Sequence, residues 1–325
     1  MPELLEARGL VKTFRASGHR LRALDGVDLH LGKGETLGLV GESGCGKSTL
    51  ARTLLMLERP DEGTVRFSGV DPFALRGAEL LSWRRRVQMV FQDPFGSLNP
   101  RLTAAELIGE PWRTHRDLVP SRRRAARVDE LLELVGLRAT DARRYPQEFS
   151  GGQRQRIGIA RALASEPDVI VCDEPVSALD LSVQAQVLNL LADLQRELGV
   201  AYLFISHDLS VVRHVADRVA VMYLGRVIET GPTEEVFARP RHPYTAALLS
   251  AAPSLVPVEG AREIVLTGEV PSPVDPPSGC RFRTRCWLAQ DVCAQVRPPM
   301  EHGAACHFPL VDNDAVVASA PANQP

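Results

Sequence analysis

The segment G-E-S-G-C-G-K-S at residues 41–48 carries the clearest chemistry in this sequence, because it matches the phosphate-binding pattern G-x-x-x-x-G-K-[S/T]. An apolar strand is predicted before it, at 36–40, and a helix after it, at 48–57. That is the context in which backbone N–H groups and a helix N-terminus surround phosphate oxygens. We predict a nucleoside triphosphate site in which Lys47 reaches the β- and γ-phosphates and the Ser48 hydroxyl binds Mg²⁺.

The predicted nucleotide contacts of this segment are its glycines, its two serines, its cysteine and its lysine, together with the threonine that follows it. Cys45 occupies a variable position and is predicted to contact nucleotide through its backbone only. The chain has only three lysines, Lys12, Lys33 and Lys47, so a lysine at this position is informative. The predicted contacts are Gly41, Ser43, Gly44, Cys45, Gly46, Lys47, Ser48 and Thr49.

Two more apolar strands are predicted to end at side chains that can do chemistry. Residues 168–172 precede Asp173 and Glu174, and residues 201–206 precede His207. Ligands bind at the carboxyl ends of strands in open parallel sheets, so these groups are expected near the phosphate loop. Asp173 is predicted to hold the Mg²⁺ shell, and Glu174 to act as general base on the attacking water.

A second glycine-rich helix start lies at Phe149–Arg156, with small residues at its tip. Such a helix N-terminus is another potential anion site. One nucleotide needs only one phosphate loop, so the second element suggests two chains that complete each other's sites.

Composition limits the class of protein. The chain has 325 residues, with 38 basic and 40 acidic side chains and a formal net charge of -2. A mainly electrostatic nucleic-acid binder would be strongly basic, so no nucleic-acid partner is expected. No stretch approaches the roughly 20 apolar residues that cross a bilayer, and the N-terminus lacks a secretory pattern. We expect a cytoplasmic protein that reaches a membrane only through a partner.

Four cysteines crowd one C-terminal segment with the spacing C-x5-C-x6-C-x12-C. The spacing is wider than the pairs usual in structural zinc sites, and four thiolates on an irregular loop suit an iron–sulfur cluster at least as well. An iron–sulfur cluster, zinc and unliganded thiols all stay open, and His302 and His307 could substitute as ligands. The four cysteines are Cys280, Cys286, Cys293 and Cys306.

The order of predicted elements indicates an α/β protein with a parallel sheet. A mostly helical insertion is predicted at about 93–165, with an amphipathic helix at 121–136, and it is followed by alternating strands and helices. The segment 253–277 contains too many prolines for regular elements. We divide the chain into residues 1–250 and an irregular C-terminal extension at 251–325.

In combination these motifs resemble the ABC transporter ATPase family. S-G-G-Q at 150–153 resembles the family's signature sequence, V-I-V-C-D-E-P its Walker B strand, and S-A-L-D at 177–180 its D-loop. Gln92 resembles the Q-loop glutamine and His207 the switch histidine. Phe14 lies where the family has an aromatic that stacks on adenine.

The resemblance implies a P-loop NTPase fold with a RecA-like parallel core, an antiparallel β subdomain and an inserted helical subdomain. Gln92, Glu174 and His207 would be catalytic, and Mg²⁺ would be held with help from Gln92. Two ATPase subunits would clamp head to tail around two ATP molecules. The signature residues would contact the partner's γ-phosphate. Further implied nucleotide contacts are Ser150, Gly151, Gly152, Gln153 and Asp180.

One departure from the family pattern is Phe149, where many members have Leu; it lies beside the phosphate-contacting residues, and we expect no loss of activity. The segment Asp93–Arg101 is a predicted coupling surface for a membrane subunit. A [4Fe–4S] cluster is the ligand that the resemblance favours for the cysteine segment.

The finer likeness is to the dipeptide and oligopeptide uptake branch, through F-Q-D-P-F-G-S-L-N-P-R, R-H-P-Y-T-A-A-L-L-S-A and P-P-S-G-C-R-F-R-T-R-C. It implies a second ATPase subunit, identical or different, two transmembrane permeases and an extracytoplasmic peptide-binding protein, with this chain on the cytoplasmic membrane face. Nickel importers share much of the pattern. Two other classes are alternatives: a non-transport ABC ATPase that acts on DNA or ribosomes, and a regulator without turnover. The single phosphate loop disfavours the first, and Glu174 with His207 disfavours the second.

Overall fold

The computed structural model describes residues 3–16, 18–93, 95–251 and 264–311. Of the predicted C-terminal extension, 251–325, the structure therefore describes Ala251 and residues 264–311, and 252–263 and 312–325 lie outside the described residues.

The bounds of the regular elements agree with the predicted ones to within a few residues where a prediction was made. In the described residues the strands are β1 Glu3–Ala16, β2 His19–Gly32, β3 Thr36–Val40, β4 Glu62–Phe67, β5 Val87–Val90, β6 Val169–Asp173, β7 Ala201–Ile205, β8 Arg218–Tyr223 and β9 Arg226–Pro232. The α-helices are α1 Lys47–Leu54, α2 Gly77–Arg86, α3 Ala104–Ile108, α4 Pro111–Thr114, α5 Arg124–Leu134, α6 Gly151–Leu163, α7 Leu181–Leu198, α8 Leu209–Val215, α9 Thr233–Ala238, α10 Pro243–Ala251 and α11 Asp291–Gln295.

The strands form two sheets. The larger has the order β5-β6-β7-β3-β8-β9 and is parallel apart from the antiparallel pairing of β8 with β9. The smaller is antiparallel with the order β2-β1-β4. The parallel core and the antiparallel subdomain are both confirmed, and β3, β6 and β7 lie side by side with their carboxyl ends at one edge.

Both faces of the larger sheet are buried, which explains its continuous apolar strands. In β6, Val169 and Val171 face the core shared with the antiparallel sheet, whereas Ile170 and Cys172 face the core shared with the helices. Such a strand has no alternating pattern, and it can be recognised only by its length and flanking residues.

The predicted helical insertion contains α3 to α6. Trp112 is buried at its centre, and its indole Nε1 donates to the Ala164 carbonyl at 2.8 Å. The predicted helix at 121–136 is observed as a 3-10 turn, Ser121–Arg123, followed by α5. The insertion thus forms one packed unit that carries α6 towards the parallel sheet.

The described part of the extension is mostly irregular, as predicted, and it packs closely on the core. Phe282 is 1% exposed, and its ring lies 5.4 Å from those of both Tyr223 and Tyr244. The backbone at 303–305 joins β9: Thr230 N donates to Gly303 O and Ala305 N donates to Ile228 O, each at 2.7 Å. The extension is therefore part of the folded unit rather than an attached tail.

Candidate nucleotide-binding site

The phosphate loop connects β3 to α1 in the predicted way. Gly46 precedes α1 with φ of 111°, and a Cβ atom there would lie 2.4 Å from the Ala23 carbonyl oxygen. Only glycine is compatible with this conformation and this close approach. The Lys47 ammonium group donates to the Gly41 carbonyl at 2.6 Å and to the Glu42 carbonyl at 3.1 Å, so it lies inside the loop.

One cavity of about 710 Å³ brings the predicted groups together. It adjoins the loop, the antiparallel sheet and the ends of β6 and β7. Its size and its mixture of backbone amides, a lysine and an aromatic ring fit a nucleoside triphosphate. The predicted residues that line it are Phe14, Ser43, Gly44, Gly46, Lys47, Ser48, Thr49, Gln92, Glu174 and His207. Pro273 of the extension also lines it, and the sequence carried no signal for this.

Glu174 lies between the other two side chains that are predicted to be catalytic. Its Oε1 lies 3.1 Å from His207 Nδ1, and its Oε2 accepts from Gln92 Nε2 at 2.9 Å. Glu174 has φ of 46° and donates its backbone N–H to the Ile205 carbonyl at 3.0 Å. This turn after β6 aims the carboxylate at the cavity, where it can accept a proton from water.

Asp173 lies one residue earlier, at the end of β6. Burial raises the pKa of its carboxyl group, and the Glu174 carboxylate raises it further, while Arg52 and Lys47 act in the opposite direction. Two adjacent carboxylates repel each other, and a divalent cation would remove this repulsion. Asp173 lines a groove that adjoins the cavity and also contains Gln92.

The signature segment forms a capped helix start elsewhere on the chain. Ser150 Oγ accepts from the backbone N–H of Gln153 at 3.3 Å, and Gln153 Oε1 accepts from Ser150 N at 3.0 Å. This capping box leaves the α6 N-terminus well ordered. Gly152 packs so closely on α7 that a Cβ atom would lie 2.3 Å from Val183 Cγ1.

The signature residues do not join the phosphate-loop cavity of the described chain. Ser150 is exposed, and so is Asp180, whose backbone carbonyl begins α7 by accepting from Val183 and Gln184 at 2.9 and 2.8 Å. A single chain thus presents a phosphate loop and a separate helix tip, as the head-to-tail arrangement requires.

Comparison with known proteins agrees with this geometry. Residues 24–177 match the ABC transporter family profile, and residues 228–293 match the C-terminal region of oligopeptide/dipeptide transporters. The chain is 56% identical over 299 residues, 90% of its length and 84% of the relative's, to a probable peptide ABC transporter ATP-binding protein, y4tS, of Sinorhizobium fredii. It is 53% identical over 305 residues, 92% of its length and 93% of the relative's, to the dipeptide transport ATP-binding protein DppF of Haemophilus influenzae.

This chain belongs to the ABC transporter ATP-binding family. A solved dimer of the ATP-binding cassette MJ0796 with ADP and phosphate matches with a TM-score of 0.64 and 32% identity, and the match covers 70% of this chain and 98% of that one. The fold is therefore that of an ABC ATPase, and the chain is an ATP-binding and ATP-hydrolysing subunit of the oligopeptide/dipeptide branch. In the described part of this ABC subunit, no helix has both the length and the apolar character needed to span a bilayer.

The four C-terminal cysteines of this ABC ATPase line one small cavity beside Phe282. Burial and the neighbouring thiols raise the pKa of Cys286 to about 12 and that of Cys306 to about 11. Both thiols are therefore protonated at neutral pH. Over the described ranges, no three His, Cys, Asp or Glu side chains form a group that could hold a metal ion. The predicted iron–sulfur cluster is not confirmed.

The two cysteines outside the C-terminal segment, Cys45 and Cys172, are both buried. Burial raises the pKa of both the Cys45 and the Cys172 thiols. The Cys45 carbonyl oxygen accepts from the backbone N–H of Gly225 at 2.7 Å, which ties the phosphate loop to the turn after β8.

Sequence reasoning also missed a charged contact at the site. Arg285 of the extension reaches Glu42 of the phosphate loop with distances from 2.9 to 3.2 Å. The two residues are separated by 243 positions, and no local pattern indicates their pairing.

Proposed function

We propose that this chain powers the uptake of di- or oligopeptides as a peripheral ATPase on the cytoplasmic face of a membrane. It would work with a second ATPase subunit, two transmembrane permeases and an extracytoplasmic peptide-binding protein. The observation that carries the proposal is the match of residues 228–293 to an oligopeptide/dipeptide transporter region on a chain with an assembled ATPase site. Relatives named as peptide and dipeptide transport proteins support it.

The geometry supports a role for each group that would surround the nucleotide. Lys47 would neutralise the β- and γ-phosphates, and Ser48 and Asp173 would hold Mg²⁺, which stabilises the developing charge. Glu174 would accept the proton of the attacking water. His207 holds Oε1 of Glu174 and Gln92 holds Oε2, so the carboxylate is fixed from both sides.

The second ATPase subunit would supply the missing phosphate contacts. Ser150 and the following backbone amides of α6 form a preordered anion-binding tip, because the capping box fixes the first turn. In a head-to-tail pair this tip would face the partner's γ-phosphate. Hydrolysis would remove that shared ligand, and the two subunits would separate.

The permease would bind in the groove of about 980 Å³ beside the catalytic cavity. Its rim exposes apolar side chains, with Leu57 66% and Phe91 44% exposed. Gly96 and Ser97 of the predicted coupling segment also line it, and Gln92 lines both the groove and the nucleotide cavity. Movement of a docked permease loop would thus reach Glu174 through Gln92.

Transport by the whole complex tests the proposal. The chain is copurified with its partner ATPase, permeases and binding protein, and the complex is placed in proteoliposomes with ATP inside or outside. Uptake of labelled di- and tripeptides that needs ATP and is abolished by Lys47→Ala supports the proposal. Uptake of Ni²⁺ in the absence of peptide uptake would reassign the substrate, and failure of the chain to copurify with any permease would contradict a transport function.

An iron–sulfur cluster at the four cysteines is a separate hypothesis, supported only by their shared cavity. Iron and acid-labile sulfide in anaerobically purified protein, with the matching absorbance, would support it. Their absence would remove it without affecting the transport proposal.

A further inference from the structure

The carboxylate of Glu42, the second residue of the phosphate loop, forms a bidentate ion pair with Arg285 of the C-terminal extension. Arg285 Nη1 donates to Oε2 at 2.9 Å and to Oε1 at 3.1 Å, and Nη2 donates to Oε1 at 3.2 Å. The Arg285 side chain is only 8% exposed, and that of Glu42 is 26% exposed. A two-pronged contact of this kind, partly shielded from water, is among the stronger and more directional polar interactions.

The backbone of Glu42 is in direct contact with the lysine of the loop. Its carbonyl oxygen accepts from Lys47 Nζ at 3.1 Å and from the Cys45 N–H at 3.3 Å. Its own N–H donates to the Tyr244 hydroxyl at 3.0 Å. A displacement of Glu42 would therefore move an acceptor of the ammonium group that is predicted to bind phosphate.

Arg285 is itself fixed in place beside an aromatic cluster that joins Phe282 of the extension to two tyrosines of the core. Its backbone N–H donates to the Phe282 carbonyl at 2.9 Å. The Phe282 ring packs nearly perpendicular to that of Tyr223, at 87°, and also against Tyr244. Tyr244 thus contacts both the extension and the phosphate loop, so the guanidinium group is held on a rigid support.

A second arginine of the extension reaches the same loop by another route. Arg281 is buried; its Nη2 lies 2.5 Å from Asp25 Oδ2, and its Nη1 donates to the Leu224 carbonyl. The next residue, Gly225, donates its N–H to the Cys45 carbonyl of the loop. Of the two arginines, which lie between Cys280 and Cys286, Arg285 thus contacts the phosphate loop directly, and Arg281 contacts the residue that precedes the loop's partner Gly225.

We infer that Arg285 is a positioning residue for ATP binding: its fork fixes Glu42, and through the Glu42 carbonyl it sets the position of Lys47. The C-terminal extension is then a structural part of the nucleotide site in this chain. The inference rests on the proposed role of the phosphate loop.

Nucleotide titration of the full-length chain tests this. For Arg285→Gln we expect the Kd for a fluorescent ATP analogue with Mg²⁺, and the KM for ATP, to rise about tenfold, since one charge-assisted contact is lost. We expect kcat at saturating ATP to change by less than about threefold, because Glu174 is not touched. Arg285→Lys keeps the charge but not the fork, and it should give an intermediate Kd.

Arg283 supplies the matched control. It lies on the same turn, and its side chain contacts Ser278 rather than the loop. Arg283→Gln should leave the Kd unchanged. Glu42→Gln should weaken binding as Arg285→Gln does, and the double variant should be no weaker than either single one, because both remove the same contact.

The results of these titrations distinguish a failure of the proposed nucleotide-binding function from a failure of the role proposed for Arg285. Wild-type protein that does not bind MgATP, or Lys47→Ala that binds it normally, would contradict the proposed function of the loop. Normal binding by wild type together with equal Kd values for Arg285→Gln and Arg283→Gln would overturn the role of Arg285 alone. Fully additive effects of Glu42→Gln and Arg285→Gln would do the same.

Discussion

Replacement of Glu174 by Gln is the sharpest perturbation of the catalytic group. An amide of the same shape can still accept from Gln92 Nε2, which lies 2.9 Å from the present carboxylate. It cannot take a proton from water. The side chain is 17% exposed and its two oxygens are both engaged, so the amide fits the same position. We expect folding and ATP binding to persist while hydrolysis is lost.

The expected size follows from the role of a general base. Such a group contributes about 10²- to 10⁴-fold to the rate, or about 3–5 kcal/mol of barrier at 1.36 kcal/mol per factor of ten. The affinity for ATP should not decrease, because the substitution removes one negative charge near the phosphates. The variant should therefore collect in a nucleotide-bound state.

Phosphate release and ATP retention measure these two effects separately. Glu174→Gln is compared with Glu197→Gln, because Glu197 is an exposed carboxylate near the C-terminal end of α7. We expect phosphate release to fall by at least a hundredfold in the first and to stay normal in the second. Hydrolysis by Glu174→Gln within about threefold of wild type would refute the assignment of the base.

Two further predictions concern packing and pH. For Gly152→Ala, the added methyl group meets Val183 Cγ1 at 2.3 Å, and we expect a loss of about 1–3 kcal/mol in the free energy of unfolding, measured by denaturant titration. For His242, burial lowers the pKa to about 3, and Nδ1 accepts from the Tyr244 N–H at 3.1 Å. Because the unfolded state binds the proton first, stability should fall as pH drops below about 6.5, by about 2 kcal/mol at pH 5.

Matched variants isolate each effect. Gly158 lies on the same helix with open space where a Cβ would be, so Gly158→Ala should be neutral or slightly stabilising. Equal stability of the two alanine variants would contradict the packing argument. His242→Asn keeps an acceptor for Tyr244 but does not titrate, so it should lose the slope between pH 6.5 and 5. An unchanged slope would assign the pH dependence to other groups.

The catalytic geometry was predictable because it depends on strand ends. Asp173, Glu174 and His207 each follow a short apolar strand, and parallel strands bring their carboxyl ends to one edge. In the structure, Glu174 Oε1 and His207 Nδ1 lie 3.1 Å apart, at this edge of the sheet. Local sequence also marked the phosphate loop, since its glycines are required by its backbone.

The extension was much less predictable, for physical reasons. Its prolines indicated irregular structure, but they carried no information on what it would contact. Arg285 and Glu42 pair across 243 positions, and Pro273 reaches the nucleotide cavity without any periodic signal. Helix α10, Pro243–Ala251, was also missed, because an apolar segment without periodicity does not distinguish helix from other buried structure.

The pairing of residues 303–305 with β9 has a consequence for solubility. Strand β9 is the edge strand of the larger sheet. An uncovered edge strand exposes unpaired backbone N–H and C=O groups that can pair with another chain. Gly303 and Ala305 form hydrogen bonds with the Thr230 N–H and the Ile228 carbonyl, so these two backbone groups of β9 are not free to pair with another chain. A chain cut short before this segment would tend to self-associate through its open border, whether or not it still bound ATP.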